Sequence, residues 1–238
     1  MKHQDMSNFY VIDTVHAADK RLFAGGQVLN DNFGKCAKCG SRRLPEQGSF
    51  LVSLDHLGRR GFVEHLWNSD GLPIFREDLF ALWKSHGLSG YDRWPVTITS
   101  SHMKTGRGSP ISAPNYYVLV AAATVILTMP PRREPPCDEC GAATYAFPPV
   151  GSHLPHGIQI DESSWDGSDF FSVAGYNFLF CSRRAAEVTL MNSPGRHITF
   201  IRHENYRRWE DFDVRKGWTA KAYEQHVEGF LIRDIKDL

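Results

Sequence analysis

The chain has 238 residues, with 27 basic and 27 acidic side chains and therefore no formal net charge at neutral pH. This balance argues against a field of one sign that would attract nucleic acid or an anionic membrane. Hydrophobic residues make up 42% of the chain and charged residues 23%, which is typical of a globular protein that buries its own core without needing disulfides.

The first half of the chain predicts short strands and one amphipathic helix. Phe9–Ile12 and Phe50–Leu54 are short apolar runs of the kind found in strands. Pro73 suits the first turn of a helix. Apolar side chains then follow at helical spacing over Phe75–His86, and Gly87 predicts the end of the helix.

The second half predicts a long strand followed by a strand–helix–strand unit. Residues 100–115 are rich in Ser, Gly and Pro and predict a loop, and the β-branched run Tyr116–Thr128 predicts one long strand buried on both faces. Residues 176–202 predict a β-α-β unit whose helix, Arg183–Met191, is capped by Ser182. These elements together predict an α+β fold, with a mixed sheet and a few helices.

The strongest signal is a Cys-x-x-Cys-Gly motif that occurs twice, at 36–40 and at 137–141. Each Cys-x-x-Cys turn directs two sulfurs to one point, and two such turns supply the four thiolates that structural Zn²⁺ prefers. The glycine after each pair suits a sharp turn that needs a positive φ angle. We therefore predict two zinc knuckles that form one zinc-ribbon-like site, with a structural zinc ion bound by Cys36, Cys39, Cys137 and Cys140.

Two other interpretations of these cysteines remain open. Residues 40–136 separate the knuckles, whereas a compact zinc ribbon spaces them by roughly 15–20 residues, so a metal would join distant segments of the chain. The turns could instead have lost the metal, with cysteines packed as small apolar side chains, or they could be redox motifs. A redox CxxC lies between a strand and a helix, but Cys36 follows a loop-like segment and Cys137 follows two prolines. Cys181, in an apolar run, is expected to be a buried free thiol.

Recognisable catalytic motifs do not accompany the cysteines. The patterns HExxH and GxSxG are missing from the sequence, and Pro136–Cys140 matches only the second half of a zinc-deaminase signature. We therefore expect a protein that is not an enzyme. A zinc-ribbon nucleic-acid-binding or regulatory protein is the alternative, because basic residues cluster at the first knuckle: Lys35, Lys38, Arg42 and Arg43. Those residues also compensate the negative charge of a zinc ion with four thiolates, so we do not expect nucleic acid as a partner.

The compartment is predicted from the N-terminus and from cysteine usage. Residues 1–5 do not show the pattern of a signal peptide, and the longest apolar run, Tyr116–Met129, is shorter than the roughly 20 residues of a membrane helix. Two CxxC pairs without an export signal fit a reducing environment better than a disulfide framework. We expect a cytoplasmic protein without a membrane partner.

The chain resembles the double-CXXCG motif proteins, a family first seen as paralogues in myxobacteria and linked to immunity proteins. The resemblance depends on both CxxCG motifs, their wide separation and the two prolines before the second motif. It extends to a looser downstream pattern at Leu154–Ile158, Asp169–Phe171, Phe178–Ser182 and Ile198–Phe200. It covers about residues 9–203, which predicts a double-CXXCG domain over 1–203 and a C-terminal extension, docked by its aromatic side chains, over 204–238.

The resemblance implies a bacterial cytoplasmic immunity protein that binds a cognate toxin and blocks it stoichiometrically. Such a protein needs a complementary surface, whose affinity usually comes from a few aromatic and charged side chains. The acidic candidates would suit a basic nuclease as the toxin. The candidates for this surface are Trp67, Asp70, Tyr91, Asp92, Trp94, Tyr206, Trp209, Glu210 and Asp211.

Overall fold

A computed structural model describes residues 8–13, 25–29, 34–43, 48–56, 62, 64–68, 72–99, 113–145, 158–173, 179–192, 198–206 and 230–238. Within these residues the helices are α1 (Glu77–Ser85) and α2 (Arg183–Asn192). The strands, in chain order, are β1 (Phe9–Asp13), β2 (Gly25–Val28), β3 (Gly34–Lys35), β4 (Arg42–Arg43), β5 (Phe50–His56), β6 (His65–Asn68), β7 (Ile74–Arg76), β8 (Tyr91–Thr99), β9 (Tyr116–Ala121), β10 (Ala123–Val125), β11 (Leu127–Met129), β12 (Gln159–Ile160), β13 (Phe170–Val173), β14 (Leu179–Ser182) and β15 (Thr199–Arg202). The predicted α+β class is confirmed.

Six strands close into a barrel in the order β2-β5-β8-β9-β7-β6. The β5–β8 and β2–β6 pairs are parallel, and the other pairs are antiparallel. The barrel encloses its own apolar core, and the side chains buried there are Phe50, Val52, Leu54, Leu66, Leu72, Ile74, Tyr116 and Val118. Closure removes free edges from this sheet.

A five-stranded sheet forms the second layer, in the order β10-β13-β14-β1-β15. Successive side chains of a strand point to opposite faces, and β1 shows this clearly. Tyr10 and Ile12 belong to a core shared with α1 and α2, whereas Phe9 and Val11 belong to a second core behind the sheet. The short antiparallel pair β11–β12 contributes to that second core.

The segment predicted as β-α-β is observed as β14, α2 and β15. Both strands are antiparallel to β1, which lies between them, so they run parallel to each other as a crossover helix requires. The Ser182 hydroxyl accepts a hydrogen bond from the Ala185 backbone N–H at 3.2 Å, the capping contact expected from the sequence. Cys181 has 0% exposure, and burial raises the pKa of its thiol.

The helix predicted from Pro73 onward is wrong at its start. Ile74–Arg76 forms strand β7, which pairs with both β6 and β9, and α1 begins only at Glu77. Ile74 and Phe75 are fully buried in the two cores, so part of the apolar spacing that resembled a helix face belongs to a barrel strand. The helix ends before Gly87, whose φ of 65° fits the predicted stop.

The single long strand predicted over Tyr116–Thr128 is also wrong. The run divides into β9, β10 and β11, which join the barrel, the five-stranded sheet and the two-stranded sheet in turn. Alternate residues from Ala122 to Thr128 are exposed, so this part is not buried on both faces. The continuous apolar run therefore contains three short strands, and each strand belongs to a different sheet.

The C-terminal segment that is described packs against the five-stranded sheet. Ile232 forms an antiparallel bridge with Phe200 of β15. The main-chain oxygen of Leu238 accepts hydrogen bonds from the Tyr10 hydroxyl at 3.4 Å and from the Arg202 guanidinium at 3.0 Å. Residues 207–229 lie outside the described residues. Among the helices of the described residues, none is long and apolar enough to cross a membrane.

Candidate metal centre

The first knuckle is the tip of a hairpin formed by β3 and β4. Gly34 pairs with Arg43 and Lys35 pairs with Arg42, which leaves residues 36–41 as the connecting turn. Two main-chain hydrogen bonds hold this turn: Cys36 N–H donates to Ser41 C=O at 2.9 Å, and Gly40 N–H donates to Cys36 C=O at 2.8 Å. Gly40 has a φ of 70°, which a residue with a Cβ adopts only at a cost.

The second knuckle repeats this geometry at the tip of another antiparallel segment. Arg132 bridges to Tyr145, and Arg133 N–H donates to Thr144 C=O at 2.8 Å. In the turn, Cys137 N–H donates to Ala142 C=O at 2.9 Å, and Gly141 N–H donates to Cys137 C=O at 2.7 Å. Gly141 has a φ of 68°, so the two glycines occupy equivalent positions. The matching sequences therefore build matching turns.

The two turns bring their four cysteines into one cluster. The four Sγ atoms, of Cys36, Cys39, Cys137 and Cys140, all lie within 4.8 Å of one another. Two contacts join the hairpins directly: Cys36 Sγ lies 3.8 Å from Cys137 Sγ, and Cys39 Sγ lies 3.4 Å from Cys140 Sγ. All four cysteines are free of disulfides.

This arrangement fits a tetrahedral four-thiolate metal site. Zinc–sulfur bonds of about 2.3 Å in a tetrahedron place sulfurs about 3.8 Å apart, which is close to the two distances between the hairpins. Four thiolates are a common ligand set of structural zinc sites, and thiolate ligands also suit iron. The predicted four-cysteine site is therefore confirmed as a group that could hold a metal ion.

Charged side chains around the cluster link the two hairpins. The Lys38 ammonium lies 2.7 Å from the Asp138 carboxylate, and the Cys36 thiol donates to a Glu139 carboxylate oxygen at 3.5 Å. The sequence placed basic residues at one knuckle and acidic residues at the other, but did not show which side chains would pair. Opposite charge between the cysteines of the two motifs, basic in the first and acidic in the second, was the available signal.

The local environments of Cys36 and Cys39 shift the pKa values of their thiols in opposite directions. Hydrogen bonds from the Ser41 side chain and backbone lower the pKa of Cys39 to about 6. At Cys36, a backbone hydrogen bond from Cys39 favours the thiolate, but desolvation and hydrogen bonds with neighbouring thiols outweigh it and raise the pKa to about 11.

The two hairpins of the cluster belong to different parts of the fold. The first hairpin connects barrel strands β2 and β5. The second follows β11 and packs Ala143 and Tyr145 into the core behind the five-stranded sheet, where the Tyr145 hydroxyl accepts a hydrogen bond from Leu127 N–H at 2.9 Å. A metal in this position would tie the barrel to the sheet.

Three of the proposed partner-binding residues share one strand of the barrel. Tyr91, Asp92 and Trp94 all lie on β8. Tyr91 is half-buried against Phe80, with 5.8 Å between ring centroids, and Trp94 is half-buried and stacks on Phe50 at 6.1 Å. Asp92, between them, is exposed.

Among the remaining partner candidates, only Tyr206 has a side chain within the described residues. Tyr206 is half-buried against the core behind the five-stranded sheet, away from the barrel core that Trp94 joins. The backbone of Trp67 lies in β6, but its side chain is outside the described residues. Asp70, Trp209, Glu210 and Asp211 are outside the described residues altogether.

The fold and this cluster define a mixed α+β protein with a candidate four-cysteine metal site held between two β-hairpins. No model of a known protein family matches the chain, and a search of curated proteins finds no significant match.

Proposed function

We propose that this protein is a bacterial immunity protein that binds a cognate toxin stoichiometrically, on a scaffold held by one structural zinc ion. The single observation that carries the zinc part is the convergence of four thiols from two matching turns. The immunity part is supported by the resemblance of both CxxCG motifs to those of the double-CXXCG motif proteins.

The donor set supports a structural role for the metal. Four thiolates give zinc a closed tetrahedral shell, which has no position for a water molecule or a substrate. The ligand pairs come from hairpins that are distant in the chain, and Cys36 is separated from Cys137 by 101 positions. Because the complete site exists only in the folded chain, the free energy of zinc binding contributes to folding.

A scaffold of this kind suits a protein that acts by binding. Preorganised partners bind with little change in backbone conformation, so a tie between the two β-layers would preserve a complementary surface. Strand β8 is the favoured contact element, because the exposed side chains of Asp92 and Arg93 lie between the partly buried rings of Tyr91 and Trp94. The exposed carboxylate of Asp92 would suit a basic toxin such as a nuclease.

The alternative, a zinc-ribbon nucleic-acid-binding or regulatory protein, has less support. It needs free basic side chains at the first knuckle, but Lys38 is paired with Asp138. Asp138 and Glu139 also place negative charge next to the cluster, where they would oppose contact with phosphates. Salt-sensitive binding of DNA or RNA would favour this alternative over the immunity function.

The immunity function is tested by co-expression with the toxin encoded by the neighbouring gene. We expect protection of the host cell and a stable complex at a one-to-one ratio in calorimetric titration. Protection at a small fraction of one copy per toxin would indicate an enzyme that modifies the toxin. Failure to protect together with failure to form a complex would contradict the immunity function.

A matched pair of variants tests the contact element separately. Asp92→Arg reverses the charge of the exposed residue on β8, and Glu162→Arg makes the same change in the exposed turn after β12. We expect the first variant to weaken toxin binding by at least tenfold and the second to leave it unchanged. Equal binding by both variants would exclude Asp92 from the interface while leaving the stoichiometric function intact.

A further inference from the structure

The four cysteines of the metal centre are unequal in their access to solvent. Cys36 is 3% exposed, Cys137 and Cys140 are both half-buried, and Cys39 is exposed. In each knuckle the first cysteine anchors the turn through its main-chain N–H and C=O, and the second lies within the turn. We call Cys39 and Cys140 the outer pair, and Cys36 and Cys137 the inner pair.

The outer pair joins the two hairpins directly. Cys39 Sγ lies 3.4 Å from Cys140 Sγ. A disulfide needs a sulfur–sulfur distance of about 2.0 Å, so these atoms must approach by roughly 1.4 Å. The inner pair is 3.8 Å apart, and one of its members is buried. A bond from Cys39 to Cys36 would require the outer sulfur to turn toward a buried partner, whereas Cys140 is reached at the surface.

We propose that the outer pair is a redox modification site, at which a peroxide forms a Cys39–Cys140 disulfide between the hairpins and the metal is released. This inference deepens the proposed zinc site and depends on it for the release of metal. Oxidation would thus replace the bound metal ion by a covalent bond as the link between the two hairpins. The bond would keep residues near 39 tied to residues near 140 after the ion has left.

The chemistry needs hydrogen peroxide or a related hydroperoxide as the oxidant. The Cys39 sulfur attacks one peroxide oxygen, forms a sulfenic acid and releases hydroxide. The Cys140 thiolate then attacks the sulfenic sulfur and displaces a second hydroxide, which completes the disulfide. Two electrons pass from the two sulfurs to the peroxide, and two hydroxides leave. With two of its four thiolates consumed, the site no longer provides a tetrahedral shell.

The same protein contains an internal reference thiol. Cys181 has 0% exposure and lies on β14 in the core shared with the helices. Buried cysteines in apolar surroundings react slowly, because the oxidant must reach the sulfur and the thiolate is disfavoured. Cys181 should therefore remain reduced under conditions that oxidise the outer pair.

The test uses the full-length protein, purified under reducing conditions and then freed of reductant. Zinc is first measured by elemental analysis, and the sample is then treated with hydrogen peroxide while a chromophoric chelator records released zinc. Mass spectrometry of the unreduced digest identifies the disulfides. We expect release of about one equivalent of zinc, a Cys39–Cys140 disulfide, a reduced Cys181, and recovery of zinc binding after treatment with dithiothreitol.

The possible outcomes distinguish a failure of the redox proposal from a failure of the zinc proposal. Disulfides within a knuckle, such as Cys36–Cys39, or zinc retention with all thiols reduced would overturn the redox proposal. Protein without zinc before oxidation would contradict the zinc proposal, but the disulfide map would still test the outer pair. Cys39→Ser and Cys140→Ser should each abolish the disulfide between the hairpins. Because these variants also lose a ligand, the disulfide map of the unaltered protein decides the question.

Discussion

The ammonium group of Lys38 lies 2.7 Å from the carboxylate of Asp138, and this contact joins the tips of two hairpins that lie 100 positions apart in the chain. Both side chains are largely exposed, at 54% and 72%. An exposed ion pair contributes at most about 1 kcal/mol to stability. Its importance here is geometric, because it pairs the basic knuckle with the acidic one beside the four thiols.

Reversing one charge of this pair should weaken metal binding. Lys38→Glu places two carboxylates opposite each other, and we expect the affinity for zinc to fall by about two- to fivefold, in keeping with the strength of an exposed ion pair. The double variant Lys38→Glu/Asp138→Lys restores opposite charges and should recover most of the affinity. Competition with a chelator of known affinity measures the change. A double variant no better than the single one would show that the pair does not align the hairpins.

The two glycines of the knuckles should be sensitive to alanine. Gly40 and Gly141 have φ angles of 70° and 68°, and there is open space around the position of an added Cβ. The cost of each Gly→Ala substitution is therefore backbone strain, about 1–2 kcal/mol. Gly34→Ala is the control, because the space there is also open and its φ is not positive. Denaturant unfolding of zinc-loaded protein should show a clear loss for the first two substitutions and little change for the control.

The contact between the two helices should depend on one buried hydrogen bond. The Trp83 indole N–H donates to the Thr189 hydroxyl at 2.8 Å, and these residues are 0% and 1% exposed. Thr189→Val leaves the indole N–H without this acceptor, and we expect a loss of about 1–3 kcal/mol in the free energy of unfolding. Thr124→Val makes the same change at an exposed strand position and should be nearly neutral. Equal effects of the two substitutions would argue against this role for the hydrogen bond.

Loss of one inner cysteine should remove the metal and destabilise the fold. Cys137→Ser leaves three thiolates, and we expect less than a tenth of an equivalent of zinc after dialysis, together with a lower unfolding midpoint. Cys181→Ala changes a thiol outside the cluster and should retain a full equivalent of zinc, whatever its effect on packing. Elemental analysis after dialysis provides the readout. Retention of zinc by Cys137→Ser would exclude Cys137 as an essential ligand.

The two knuckle turns could be predicted because the information that specifies them is local. Each Cys-x-x-Cys-Gly segment specifies a turn with its own hydrogen bonds and its own positive-φ glycine, and both turns form as expected. The strand, the helix and the N-cap around Ser182 could be predicted for the same reason, because the capping contact joins residues close together in the chain. The contact between Lys38 and Asp138 is not local, since it depends on how the hairpins meet.

The barrel could not be predicted, because its strand partners are set by contacts over long distances in the chain. The run after Tyr116 contains apolar side chains throughout, and its composition does not reveal that three sheets share it. Pro73 and Phe75 suited a helix, but pairing of Ile74–Arg76 with β6 and β9 gave a strand. Tertiary pairing outweighed local propensity in both segments.

The exposure of the aromatic partner candidates could not be predicted from the sequence either. Tyr91 and Trp94 carry side chains that serve equally well in a core or in an interface. The structure packs both against neighbouring rings, and the charged residues between them, Asp92 and Arg93, are exposed. Sequence composition alone does not distinguish these uses, because exposure depends on which strand lies alongside.

X-ray absorption at the zinc edge of the purified protein tests the central claim most directly, because it reports the identity, number and distance of the atoms bound to the metal. The four-cysteine centre predicts four sulfur atoms at about 2.3 Å and a shell without nitrogen or oxygen. A shell containing nitrogen or oxygen donors, or protein prepared without chelator that binds no zinc, would contradict a zinc centre formed by Cys36, Cys39, Cys137 and Cys140.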